Sequence, residues 1–183
     1  LDSLEKKIRE VLSPWIYSRN GDNLEAVVGS LLKEKGKTVA CAESCTGGLL
    51  GHRLTGIPGS SAYFLESAVV YSNAAKTRRL GVPKSLLEKH GAVGAAAARA
   101  MAVGVRKTSR SDFGLSVTGI AGPDGGTARK PVGLVYIALA HDKGVAVHRN
   151  LFFGGRAQVK YQSSQKALDI LRKFLIKGSR KAL

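Results

Sequence analysis

The run Thr38-Val39-Ala40-Cys41-Ala42-Glu43-Ser44-Cys45-Thr46-Gly47-Gly48 decides how this chain folds. Thr38–Ala42 is short, apolar and bounded by turn residues, so it reads as a buried strand. Glu43–Gly48 is a sharp turn, and a helix follows it to about Thr55. A strand that feeds directly into a helix opens an α/β layered domain.

Working outward, the same alternation continues. Leu65–Tyr71 reads as a second strand, and Ser72-Asn73 offers an N-cap to a short helix carrying Lys76. Pro83 suits the first position of another short helix ending near Gly91. Ala95–Lys107 is alanine-rich and helical. Phe113–Thr118 is a third strand, entering the glycine-rich segment Gly119–Lys130. Val132–Ala140 and Val145–Phe153 read as a hairpin turning at His141–Gly144. Gly154-Gly155 leads into a last helix, about Ala157–Lys177, and a basic tail. Toward the N-terminus, Asp22 and Glu25 resemble a capping box that opens a helix ending at Gly36. Leu4, Ile8, Val11 and Leu12 give residues 2–13 a helical stripe, which Pro14 interrupts. The expected architecture is a layered α/β/α domain whose sheet is mixed because of the C-terminal β-hairpin, with a helix after it. Residues 1–21 form a connector or helical arm, and residues 22–183 form the domain.

Composition limits the function classes. The 183 residues suit one domain that buries a core without disulfides or metal. Cys41 and Cys45 are only four apart at a strand-to-turn junction, which favours reduced thiols and a cytoplasmic setting. No apolar run approaches the ~20 residues of a membrane span, and no signal peptide is visible. The excess of 29 Lys+Arg over 13 Asp+Glu gives a net charge of +16. Such a balance can mark a nucleic-acid binder. The basic residues are dispersed, however, and aromatics make up only 6%, so no stacking platform accompanies them. Nucleic acid is therefore disfavoured, and a positive field equally suits a small anionic substrate.

Three chemically loaded loops fall at strand ends, where ligands gather in α/β sheets. Ser44 stands at the first, and backbone N–H groups of Thr46, Gly47 and Gly48 can face an anion or oxyanion there. A plain helix cap at Ser44 or Thr46 explains the same residues. The second is Tyr71-Ser72-Asn73…Lys76, where a buried lysine can act as a base once neutral. A solvated lysine and an edge aromatic are the structural alternative. The third, Gly119-Ile120-Ala121-Gly122 and onward to Gly126, can cradle a ligand with its backbone or be an ordinary surface loop. It matches neither the Walker loop nor the dinucleotide fingerprint. His52, His90, His141 and His148 lack ligand spacing, so no metal site is expected. Without a placed histidine, a serine–lysine pair is the remaining nucleophile–base arrangement.

These blocks then combine. Ala42–Gly48, Pro58–Phe64, Tyr71-Ser72-Asn73…Lys76, Gly91-Ala92-Val93, Thr118–Gly126 and Lys130–Gly133 together resemble the C-terminal domain of the CinA family over about residues 22–175. Residues 1–21 resemble the connector preceding it in longer members, so a partner N-terminal domain is expected. The resemblance implies hydrolysis of the carboxamide of nicotinamide mononucleotide to nicotinate mononucleotide and ammonia, without metal or organic cofactor. It implies Ser44 as nucleophile, Lys76 as base and Tyr71 as its helper. It places Thr46, Gly47, Gly48, Asn73, Gly119, Ile120, Ala121 and Gly122 around the substrate, with Arg156 pairing its phosphate. A homodimer or higher homo-oligomer is expected. Gly94-Ala95 replace the family's usual Ser-Glu, Ala74 a frequent glutamate, and Gly155 a common acid. These changes raise the net charge and remove neighbouring support. They keep open an alternative, a catalytically impaired basic domain that engages nucleic acid or a partner domain.

Overall fold

The computed structural model describes residues 2–12 and 15–179. Pro14, named above for a helix break, and residues 180–183 of the basic tail lie outside these. Seven α-helices and five strands are described, besides a 3-10 turn at Ser60–Ala62: α1 Asp2–Leu12, α2 Leu24–Glu34, β1 Val39–Glu43, α3 Leu49–Thr55, β2 Phe64–Val69, α4 Asn73–Leu80, α5 Lys84–His90, α6 Ala95–Ser109, β3 Phe113–Gly119, β4 Leu134–His141, β5 Gly144–Leu151 and α7 Arg156–Ser179. The sheet runs β2-β1-β3-β4-β5. β1 is parallel to both β2 and β3, whereas β4 and β5 pair antiparallel. The expected mixed sheet is present, and the three parallel strands are adjacent at its β2 side. Their carboxyl ends therefore lie side by side.

Alternation along β1 divides the core. Val39 and Cys41 face a cluster with Leu50, Leu54 and Leu168 from α3 and α7. Ala40 and Ala42 face the opposite layer, with Leu80, Leu87 and Met101 from α4, α5 and α6. Small residues let α6 lie close to the sheet. A Cβ at Gly114 would stand 2.1 Å from the carbonyl oxygen of Ala102, and Ser116 Oγ donates to Ala98 O at 2.7 Å. α3 is tied to its layer by Arg53, which pairs with Glu25 at 2.6 Å and donates to Ser164 Oγ and Gln165 Oε1. Burial opposes ionisation of Glu25, but the hydrogen bond and charge of Arg53 prevail and lower its pKa.

One cap differs from the expectation. Asn23, not Asp22, caps α2, accepting from Ala26 N at 3.0 Å, while Asp22 accepts from Ser18 Oγ. Ser72 caps α4 as expected, accepting from Ala75 N at 3.1 Å. No described helix is long and apolar enough to cross a membrane.

Candidate active site

β1 ends at Glu43, and the alternation of its side chains sends successive residues to opposite layers. Glu43 turns toward α3 and is fully buried. Its Oε2 accepts from Gly48 N at 2.9 Å and Leu50 N at 3.1 Å. Its Oε1 accepts from Gly51 N at 2.8 Å and Ser67 Oγ at 2.7 Å. A carboxylate thus closes the amino end of α3, where a negative charge complements the helix dipole. Gly47 and Gly48 adopt φ of +61° and +96°, which glycine permits without strain. This tight turn is what returns α3 over the end of β1.

Ser44 turns the other way, toward α4, and is 8% exposed. Lys76 sits in the first turn of α4, below the Ser72 cap. Its side chain is 1% exposed. Nζ donates to Val70 O at 2.8 Å and Tyr71 O at 3.1 Å, and lies 3.1 Å from Ser44 Oγ. Both carbonyls come from the chain leaving β2, the strand beside β1. A neutral amine has two hydrogens and one lone pair. In its neutral form, with both carbonyls satisfied, the amine has its lone pair left for Ser44 Oγ; in its ammonium form it donates to that oxygen. Burial pushes the Lys76 pKa below its ordinary range, and only a thiolate at Cys45 would raise it. Cys45 is itself buried, and its thiol pKa is pushed up to about 12. At neutral pH it is a thiol, so the desolvation of Lys76 stands unopposed. Neither Cys45 nor Cys41 is bridged.

The remaining predicted residues fall into three groups. Tyr71 holds Lys76 through its carbonyl, whereas its exposed phenol accepts from Arg156 Nη2 at 3.1 Å. Arg156 also donates to Gly122 O at 2.8 Å, joining Tyr71, the glycine loop and α7. Within that loop Gly119 lies in the β3–β4 ladder, and Ile120 N donates to Leu134 O. Ala121 and Gly122 continue toward Arg156. Asn73 is exposed and lines a hollow between α4 and α5 with Arg78, Lys84 and Glu88, apart from Ser44. Of the expected oxyanion donors at Thr46–Gly48, two are already committed: Gly47 N donates to Ser44 O and Gly48 N to Glu43. That corrects the sequence expectation; among these three only the Thr46 amide remains. Among the described residues the buried Thr46 hydroxyl has no partner.

Sequence reasoning missed Glu43 as the anchor of the turn. A glutamate at a strand end, five residues before a glycine that opens a helix, was the available clue. It also missed Lys130, whose Nζ donates to His90 O at 3.0 Å and Val93 O at 2.7 Å and so fastens the far end of the glycine loop. Among the described residues no group of three or more His, Cys, Asp or Glu side chains can hold a metal.

Comparison with known proteins identifies the family. Residues 21–175 match the family model described as the CinA C-terminal domain. A CinA-like protein of Geotalea uraniireducens is 53% identical over 170 residues, covering 93% of this chain and 40% of that protein. A putative competence-damage inducible protein of Moorella thermoacetica is 51% identical over 172 residues, covering 94% of this chain and 42% of its own length. The chain thus spans about two fifths of the relatives it matches. Among solved structures, the competence/damage inducible protein CihA of Agrobacterium tumefaciens superposes with a TM-score of 0.80 at 39% identity, over 85% of this chain and 96% of that one. A CinA superfamily protein of Escherichia coli does so with a TM-score of 0.78 at 26% identity, over 88% and 98%. The fold, the order of the motifs and these matches together place the chain in the CinA C-terminal domain family.

Proposed function

We propose that this domain is an amidohydrolase that converts nicotinamide mononucleotide to nicotinate mononucleotide and ammonia, with Ser44 as nucleophile and Lys76 as general base. The observation that carries the reading is the buried Lys76 amine, held by two backbone carbonyls 3.1 Å from a serine hydroxyl. A solvated lysine on a helix has no use for such a setting, whereas a base must be desolvated to be neutral.

In this mechanism Lys76 takes the Ser44 proton as Oγ attacks the carboxamide carbon. The Thr46 amide, with those of Ala121 and Gly122 in the glycine loop, is available for the oxyanion. Among the described residues none of these three amides donates to a protein acceptor. The Lys76 ammonium then returns its proton to the leaving nitrogen, ammonia departs, and water activated by the same amine cleaves the acyl-enzyme. The cationic pyridinium of the substrate makes its carboxamide carbon electrophilic. Tyr71 orients the base through its carbonyl and Arg156 through its phenol. Arg156 has no carboxylate partner among the described residues, which supports reading it as the partner of the phosphate. The unbridged thiols fit a reducing, cytoplasmic setting.

Identifying the products tests the reading. Incubation with nicotinamide mononucleotide should yield nicotinate mononucleotide and ammonia in equal amounts by chromatography. Release of free nicotinamide would mean that the glycosidic bond is cut instead, and the reading would fail.

A further inference from the structure

The nucleophile's turn has a second cation beside it. Lys160 follows Arg156 by one turn of α7, and i,i+4 spacing places both side chains on one face. Its Nζ lies 3.6 Å from the point where a Cβ on Gly47 would stand. Gly47 itself is exposed, and Lys160 is half-buried. On the other flank, Arg156 donates to Gly122 O and to the phenol of Tyr71, the residue whose carbonyl holds Lys76. Among the described residues no acidic side chain pairs with Arg156 or Lys160. Two cations without a counter-ion thus border the turn that carries Ser44. Such a pair attracts an anion and, in a partly desolvated setting, binds it by charge-assisted hydrogen bonds.

The competing anion site is closed. The amides at the start of α3 that would receive a phosphate, those of Gly48, Leu50 and Gly51, all donate to the Glu43 carboxylate. Glu43 also carries a negative charge into that end of the helix. An anionic substrate is therefore driven away from α3 and toward the α7 side of the Gly47 turn.

We propose that Lys160 is a specificity-determining residue that binds the phosphomonoester of the substrate together with Arg156, and that Glu43 confines the phosphate to that side. In naming the anion this rests on the deamidase reading above. The phosphate then sits over the exposed Gly47, and the pyridine carboxamide extends inward to Ser44. Discrimination between a nucleotide and its nucleoside falls to α7 rather than to the helix that follows the nucleophile.

The experiment compares wild type, Lys160→Gln and Lys160→Arg on nicotinamide mononucleotide and on nicotinamide riboside, which lacks the phosphate. The ratio of kcat/KM for nucleotide over riboside should fall about tenfold in Lys160→Gln, carried by KM. Lys160→Arg should retain most of the ratio. An unchanged ratio in Lys160→Gln, including equal losses on both substrates, overturns the proposal. If the wild type turns over neither substrate, the deamidase reading fails, and the anion subsite is tested alone by calorimetric titration with inorganic pyrophosphate at low salt. Binding that weakens about tenfold in Lys160→Gln supports the subsite; absent or unaltered binding overturns it.

Discussion

Replacing Glu43 with glutamine should cost this domain a large share of its stability, although the two side chains have the same shape. The Glu43 carboxylate accepts four hydrogen bonds in a fully buried setting. A glutamine can present oxygen to only one side. With its oxygen kept toward Gly48 and Leu50, its nitrogen faces Ser67 Oγ, which can rotate to accept, and the Gly51 N–H, which cannot. One buried N–H is then orphaned, at about 1–3 kcal/mol. The two surviving backbone bonds lose their charge assistance, roughly 0.5–1 kcal/mol each. The opposite orientation orphans both Gly48 and Leu50 and is worse. The expected loss is therefore about 2–5 kcal/mol. For a domain of this size that corresponds to a fall in Tm of about 4–20 °C. Urea unfolding at pH 7, followed by circular dichroism and with equal m-values, measures it. A loss below about 1 kcal/mol would refute the claim that this carboxylate holds the turn.

Two further outcomes follow from the same geometry. In the proposed mechanism Lys76 acts as a neutral amine, and burial pushes its pKa below the ordinary lysine value of 10.5. Deamidation should therefore rise with pH through a midpoint below that value and be lost as the amine protonates on the acid side; a kcat/KM profile that stays flat down to pH 5 would count against Lys76 as base. Among the described residues the buried Thr46 hydroxyl has no partner, so Thr46→Val should stabilise the domain by about 1 kcal/mol in urea unfolding; destabilisation of that size would contradict an unpartnered hydroxyl.

The parts of this molecule that were legible in its sequence share a physical reason. Strands such as Phe113–Gly119 and the alanine-rich α6 are long enough for pattern and propensity to fix them locally. The Tyr71…Lys76 segment was legible as a short helix behind a cap, and the strand ends located the three loops. What local pattern could not supply was parity across the β1 end. Glu43 and Ser44 are neighbours in sequence but face opposite layers, one anchoring α3 and the other meeting Lys76. That division depends on the β2-β1-β3 order, which no single stretch encodes. The same holds for Tyr71, whose carbonyl rather than its phenol meets the lysine, and for the Gly47 and Gly48 amides. These looked free in sequence, but the turn geometry commits them to Ser44 and Glu43. The choice of Asn23 over Asp22 as the α2 cap is a shift of one residue, within the ordinary imprecision of helix boundaries.

The most direct test is ammonia release from nicotinamide mononucleotide by the wild type beside Ser44→Ala. Ser44 is small, and its Oγ meets the Lys76 amine, so alanine should leave the fold and its circular dichroism unchanged while ammonia release falls by at least about a thousandfold, as loss of a nucleophile in a covalent mechanism requires. Ammonia release by a folded Ser44→Ala protein at the wild-type rate would contradict the serine–lysine account.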